Sequence, residues 1–89
     1  MHYYLAVDIG ASSGRHILGS IENDILKLEE IYRFENNLTN DNGTLTWDIK
    51  HLTNEVINGI KQCTQINKIP VSVSIDTWGV DYVLIDKSG

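Results

Sequence analysis

The stretch YYLAVDIGASSGR, residues 3–15, organises the chain. Residues 3–9 form a nearly unbroken apolar run, which is typical of a strand covered on both faces. Residues 10–14 are small and interrupt this run, which predicts a tight turn. Because an apolar pattern resumes over residues 15–21, we expect a strand, a turn and a second strand in succession.

The next part of the chain extends these two strands into a sheet. Residues 22–24 have turn chemistry, and residues 25–34 alternate loosely between apolar and polar side chains, which predicts a third strand. Strands joined by such short turns favour an antiparallel meander. Residues 36–43 are rich in asparagine, so we expect an exposed loop there, followed by a short extended piece over residues 44–47.

An amphipathic helix follows the extended piece. Asp48 is a good N-cap, and apolar residues then recur at helical spacing until about Gln65. These apolar positions are Ile49, Leu52, Val56, Ile60 and Cys63. After the helix, residues 71–75 predict a β-branched strand that ends at Asp76, and residues 80–85 predict a last strand.

The predicted order β-β-β-α-β-β indicates an α/β fold with a mixed sheet and a helix on one face. The crossover through the helix makes the strand at residues 71–75 parallel to its neighbour, most simply the strand at residues 3–9. The chain stops in a turn signal just after a strand. We therefore expect residues 1–89 to be the N-terminal portion of an incomplete domain that continues beyond Gly89.

Composition limits the functions that the chain can have. Its 89 residues allow one small domain or part of a larger one, and the net charge of −5 argues against binding nucleic acid or anionic lipid. Cys63 is the only cysteine, so no internal disulfide can form. The N-terminus has no basic segment before its apolar run, so we expect neither a signal peptide nor a membrane span, and a cytoplasmic location.

Asp8 and the turn after it carry the first set of candidate functional residues. A carboxylate at the end of a buried strand needs compensation, and a bound cation, or water held by a cation, would supply it. Gly10 and Gly14 allow positive φ and close backbone approach, and the following hydroxyl and guanidinium groups can bind phosphate. These parts suit a clamp for phosphate groups. A plain hairpin turn with a surface aspartate is the alternative.

The second set lies at residues 75–81, at the end of another predicted buried strand. Asp76 and Asp81 can accept hydrogen bonds from hydroxyl groups, and Trp78 can cover the apolar face of a sugar. Gly79 would let a ligand approach the backbone. If the two strands are parallel neighbours, Asp8 and Asp76 open into one crevice. Alternatively, Trp78 is a core residue and the two acids belong to a turn; Trp47 could likewise line the crevice or join the helix to the sheet.

Three blocks of the sequence resemble the FGGY family of carbohydrate kinases. They are AVDIGASSGR at residues 6–15, GTLTWD at residues 43–48 and IDTWGVD at residues 75–81. The first block alone is similar to the wider actin-like ATPase superfamily. The third block favours a kinase of L-rhamnulose over kinases of xylulose, glycerol or gluconate.

The resemblance implies a ribonuclease H-like (actin-like ATPase) core in a two-domain kinase, with roles for individual residues. Asp8 would hold Mg²⁺ through water. Gly79 would contact the sugar, with Asp76, Trp78 and Asp81 close to it. The residues implied to bind the ATP phosphates are Ala11, Ser12, Ser13, Gly14 and Arg15. The catalytic base of the family lies beyond the end of this chain.

The implied reaction is transfer of the γ-phosphate of ATP to the 1-hydroxyl of L-rhamnulose, with Mg²⁺ as cofactor. The rest of the kinase chain would complete the cleft, so residues 1–89 alone should show little or no turnover. Two alternatives stay open at this point. One is another FGGY kinase, and the other is a non-enzymatic actin-like module that binds nucleotide.

Overall fold

A computed structural model describes residues 1–89, which form six strands and one helix. The strands are β1 (Tyr3–Ile9), β2 (Ser13–Glu22), β3 (Ile25–Glu35), β4 (Leu38–Asp41), β5 (Thr44–Trp47) and β6 (Pro70–Asp76), and the helix is α1 (Ile49–Gln65). Four strands form one sheet in the order β3-β2-β1-β6, and β4 and β5 form a separate two-stranded sheet. The chain is therefore a mixed α/β unit.

The four-stranded sheet has the predicted directions. β1 pairs antiparallel with β2, and β2 pairs antiparallel with β3, so the expected meander is confirmed. β6 returns through α1 and pairs parallel with β1, which confirms the expected neighbour of the crossover strand. The carboxyl ends of β1 and β6 consequently lie at the same edge of the sheet.

The helix has the bounds that the apolar spacing predicts. The Asp48 carboxylate accepts a hydrogen bond from the backbone N–H of His51 at 3.0 Å, so the predicted N-cap is confirmed. Leu52 and Cys63 are buried on the face that packs against the sheet. No helix in the structure is both long enough and apolar enough to cross a membrane.

His16 of β2 packs directly against the helix. Its side chain is fully buried, and Nε2 lies 3.0 Å from the backbone oxygen of Val56. Because a carbonyl can only accept, Nε2 must carry the proton and donate it. Burial lowers the pKa of His16, which favours the neutral form of the ring. Gly59 of α1 leaves the space that the imidazole ring occupies.

The asparagine-rich segment differs from its prediction. Residues 38–41 are exposed, as expected, but they form β4, which pairs with β5 around a turn at Asn42 and Gly43. Both turn residues have positive φ, 51° and 88°. Asparagine and glycine tolerate this conformation, and Asn-Gly is a strong signal for a two-residue hairpin turn. The sequence contained that signal, and the expectation of a plain loop was wrong.

The predicted last strand at residues 80–85 is absent. Its residues have no partner strand, and their apolar side chains are exposed, with Val80 and Leu84 at 91%. The segment makes one local turn bond, from Asp81 N–H to the Trp78 carbonyl at 3.2 Å. A strand needs a hydrogen-bonded neighbour, so β propensity alone does not produce one here.

The prediction that β1 and β6 are covered on both faces is also wrong. Leu5, Val7 and Ile9 are buried, whereas the alternate residues of β1 are exposed, and β6 is exposed along almost its whole length. The reason is that the single helix covers only one face of the sheet, over β2 and β3. On the open face, apolar side chains line a depression of about 320 Å³. The large apolar side chains there that are about half to two-thirds exposed are Tyr4, Ile21, Leu26 and Leu28.

We expect Gly59→Ala to destabilise the protein. In an unobstructed helix this change stabilises by about 1 kcal/mol, but here the added methyl group overlaps the His16 ring, and such overpacking costs about 1–3 kcal/mol. Urea unfolding measures the difference. Asn54→Ala is the matched control, since Asn54 is exposed on the same helix and its replacement should be neutral or slightly stabilising. A rise in stability for Gly59→Ala would contradict the packing described here.

Candidate functional site

The ends of β1 and β6 bring the two sets of predicted residues to one edge of the sheet. Asp8 and Asp76 are direct partners in the parallel pairing, so the expected adjacency of the two acids is confirmed. Asp8 is also the direct partner of Arg15 across the antiparallel pair. In both pairings partner side chains lie on the same face of the sheet, which here is the face opposite the helix.

Asp8 is not buried, contrary to the expectation. Its carboxylate pairs with the Arg15 guanidinium, with 3.3 Å between Oδ2 and Nε, and the two side chains are about half exposed, at 54% and 49%. The open face of the sheet is the physical reason. An exposed ion pair of this kind contributes about 0–1 kcal/mol, so the carboxylate needs no cation for the sake of stability. The chain also has no cluster of three or more metal-ligating side chains.

The turn between β1 and β2 is held by a residue that sequence reasoning missed. Gly10 N–H donates to the Ser13 carbonyl at 2.9 Å, which closes the turn. Asn36, which is 1% exposed, donates from its side-chain amide to the Gly10 carbonyl at 2.8 Å. Its backbone N–H donates to the Ser12 carbonyl at 3.0 Å. Nothing in the sequence indicated that Asn36 holds the turn, because it is one of several asparagines in a predicted loop.

The two glycines of the turn do not have the predicted conformation. Positive φ occurs at Gly43 and Gly89 among the glycines, and not at Gly10 or Gly14. Gly14 is buried, and a Cβ there would overlap the ring of Phe34 on β3. Position 14 therefore requires glycine because an aromatic ring packs closely against it. A left-handed backbone conformation is not the reason.

A polar cavity of about 290 Å³ opens beside this turn. No hydrophobic residue lines it; the lining residues are Asp8, Gly10, Ser13, Arg15 and Arg33. Arg33 is a second residue that sequence reasoning missed. It is the direct partner of Arg15 in the β2–β3 pairing. The sequence predicted the meander but not its register, and only the register shows that the two arginines are neighbours.

The segment after β6 is organised by two stacked tryptophans. The rings of Trp47 and Trp78 lie 4.3 Å apart between centroids and 15° from parallel, and both pack against the core. Trp78 is therefore half buried against the core, and it also borders a cavity. Its Nε1 is out of contact with solvent and has no hydrogen-bond partner.

The remaining residues of this segment are open to solvent. Asp76 and Asp81 are exposed, and a Cβ added to Gly79 would meet no neighbouring atom. The cavity at this segment has a volume of about 240 Å³. Its lining residues are Thr77, Trp78, Asp81, Tyr82 and Val83, none of which lines the polar cavity. The two cavities therefore share no lining residue, and Asp76, which was expected to share a crevice with Asp8, lines neither of them.

Several known proteins are similar in sequence to this chain. The chain is 51% identical over 87 residues to "Rhamnulokinase" of Halalkalibacterium halodurans and 49% identical over 86 residues to "Rhamnulokinase" of Mannheimia succiniciproducens. The chain is similar to both of these rhamnulokinases over nearly its whole length. The "Rhamnulokinase" of Bacillus subtilis is 41% identical over 86 residues, or 97% of this chain. The resemblance inferred from the three sequence blocks is thereby confirmed.

The similarity to rhamnulokinases extends over nearly all of the chain but covers little of those proteins. The matched residues make up 98% of this chain for the Halalkalibacterium relative and 94% for the Mannheimia relative. In each case they make up 18% of the relative, so the chain spans about a fifth of its length. No protein-family model matches the chain.

We expect Asn36→Asp to loosen the turn at residues 10–13. A carboxylate cannot donate to the Gly10 carbonyl, so the buried bond is lost, at a cost of about 1–3 kcal/mol. Thermal unfolding monitored by circular dichroism measures the loss. Asn37→Asp makes the same chemical change at the next, exposed position and should leave the midpoint nearly unchanged. Equal effects at the two positions would show that Asn36 does not hold the turn.

Proposed function

We propose that this chain is part of an ATP-dependent carbohydrate kinase that transfers the γ-phosphate to the 1-hydroxyl of L-rhamnulose, in rhamnose catabolism. The observation that carries the proposal is the 41–51% identity to proteins named rhamnulokinase over nearly the whole chain. The register adds support, because Asp8 and Asp76, which begin the proposed phosphate and sugar segments, are direct neighbours. Ligands of open α/β sheets bind at such strand ends.

The proposed phosphate site is the turn that follows β1. Ala11, Ser12, Ser13 and Arg15 would contact the phosphates, with Gly14 taking part through its backbone. A clamp works best when its donors are fixed before the ligand arrives, and the Asn36 bonds hold this turn in place. The cavity beside it contains hydroxyl, guanidinium and carboxylate groups and no hydrophobic side chain, which suits a phosphate chain.

Asp8 is the proposed contact for Mg²⁺, made through water. Magnesium keeps several of its waters and is commonly bound by one or two carboxylates together with substrate phosphates. A single half-exposed carboxylate beside the proposed phosphate site fits that requirement. Bound there, the cation would neutralise charge on the phosphates, and Asp8 would exchange its bond to Arg15 for water of the cation.

The proposed sugar site is the segment from Asp76 to Asp81. Gly79 supports it, because neither a positive φ nor a close neighbour accounts for a glycine at that position, whereas close approach of a ligand would. The exposed carboxylates of Asp76 and Asp81 can accept hydrogen bonds from sugar hydroxyls. Trp78 is fixed by its stack with Trp47 and would cover an apolar face of the sugar.

In this proposal residues 1–89 are the N-terminal portion of the first of two ribonuclease H-like domains of a cytoplasmic enzyme. The relatives are much longer than the chain, and its open sheet face and the exposed apolar side chains at residues 80–85 are surfaces that further chain would cover. The catalytic base and adenine contacts would come from that further chain. Because phosphoryl transfer depends on positioning, residues 1–89 alone would not turn over.

A substrate panel on the complete kinase tests the proposed reaction. We expect kcat/KM for L-rhamnulose to exceed that for xylulose, glycerol and gluconate by at least about tenfold, since a site that pairs specific hydroxyls discriminates against analogues lacking them. A coupled assay for ADP release measures each rate. Preference for one of the other substrates would assign the chain to another FGGY kinase, and nucleotide binding without phosphorylation of any of them would favour a non-enzymatic actin-like module.

We expect Asp8→Asn in the complete kinase to lower kcat by an amount on the order of a hundredfold, because the carboxylate would no longer hold the water shell of the cation. Stability should change little, by roughly 0.5 kcal/mol or less, since Asp8 makes only an exposed ion pair. Steady-state kinetics and urea unfolding provide the two readouts. Asp41→Asn is the control at an exposed carboxylate outside the site. Activity within a few-fold of wild type would remove Asp8 from metal binding.

We expect Arg15→Ala to weaken transition-state stabilisation by about 2–4 kcal/mol, as for other preorganised charge contacts. The guanidinium would neutralise charge on the transferring phosphate, so kcat/KM for ATP should fall. Steady-state kinetics on the complete kinase measures it. Lys61→Ala, at an exposed position on α1, changes net charge equally and should leave kcat/KM unaltered. Matching kinetics for the two variants would exclude Arg15 from the site.

A further inference from the structure

Two arginines, and not one, flank the polar cavity. Arg15 on β2 and Arg33 on β3 are direct partners in the antiparallel pairing, and both line the cavity with Asp8. Partner residues on adjacent strands have their Cβ atoms about 4.5–5.5 Å apart. Like charges in that arrangement destabilise a sheet unless something neutralises them. Each arginine therefore needs an anionic group beside it.

Each arginine has its own carboxylate partner in this structure. Arg15 pairs with Asp8 at 3.3 Å, and Arg33 pairs with Glu30, with 2.6 Å between Nη2 and Oε1. All four side chains are exposed to a substantial degree, and Arg33 remains 55% exposed. Exposed ion pairs of this kind are weak and exchange readily for another anion. Both guanidinium groups are therefore available to a ligand that enters the cavity.

A bulge in the sheet produces the pairing of Arg33 with Glu30. The β2–β3 register shifts between His16 and Ile17, which leaves Ile31 without a partner. Without the extra residue, Glu30 and Arg33 would lie on opposite faces, because side chains alternate along a strand. With it, both lie on the open face and make their ion pair. Bulges next to functional sites commonly redirect a side chain in this way.

We propose that Arg33 is a second phosphate-binding arginine, and that Glu30 holds it in place until a phosphate group displaces the carboxylate. The inference rests on the proposed function, because the ligand is the phosphate chain of ATP in the cavity beside Asp8. Two guanidinium groups from neighbouring strands can contact one phosphate chain from the same side of the sheet, each through a planar fork of donors. Arg33 thus adds to the site a charge that lies outside the turn at residues 10–14.

Two variants with opposite expected effects on ATP affinity test this role. Titration calorimetry on the complete kinase measures the affinity for ATP with Mg²⁺. Arg33→Gln should weaken binding on the order of tenfold, the effect of losing a charged hydrogen bond. Glu30→Gln should strengthen binding by about two- to threefold, because it frees Arg33 from a competing carboxylate. Lys27→Gln is the matched control, as it removes an ion-paired cation from the far end of the same strand.

The outcomes separate this inference from the proposed function. If wild-type kinase binds ATP and Arg33→Gln behaves like Lys27→Gln, the role of Arg33 is overturned and the proposed function stands. The role is equally overturned if Glu30→Gln binds more weakly than wild type, since Glu30 would then support the site. If the wild-type kinase binds no ATP, both proposals fail. Urea unfolding of each variant should match wild type, because both residues are exposed.

Discussion

The backbone pairing of β1 with a strand on each side is the constraint on which the rest of the structure depends. β2 pairs with it antiparallel and β6 parallel, so Asp8 acquires Arg15 on one side and Asp76 on the other. A slip of one residue would turn Asp8 toward the helix and Val7 toward solvent, because side chains alternate along a strand. The burial of Leu5 and Val7 fixes the register of β1. The register in turn determines where the charged groups at the strand ends lie.

The open face of the sheet explains the electrostatics of the candidate site. α1 covers the face that contains the core, whereas Asp8 and its partners lie on the other face and remain half exposed. In this setting carboxylates and guanidinium groups form weak, exchangeable pairs and do not require a metal to be stable. Such pairs suit a site that binds and releases a charged ligand, since a fully buried network would be costly to break.

The two parts of the site differ in how completely this chain builds them. The turn at residues 10–13 is fixed by Asn36 from the end of β3, and Gly14 lets the Phe34 ring pack beneath it. The segment after β6 is anchored at one point, the stack of Trp78 on Trp47, and is exposed beyond it. Residues 1–89 therefore fix the first part of the candidate site more completely than the second.

Local sequence patterns were sufficient to predict the helix, the meander and the parallel return strand. Apolar spacing and cap residues act within a few positions of the chain, so the sequence displays them directly. The sequence blocks were also sufficient for the resemblance to rhamnulokinases. Tertiary structure decided which side of each strand meets the helix, and therefore that Asp8 is exposed. It also decided that Asn36 is buried and that Arg33 lies opposite Arg15. Register, bulges and the number of covering layers determine such placements, and each depends on residues far apart in sequence.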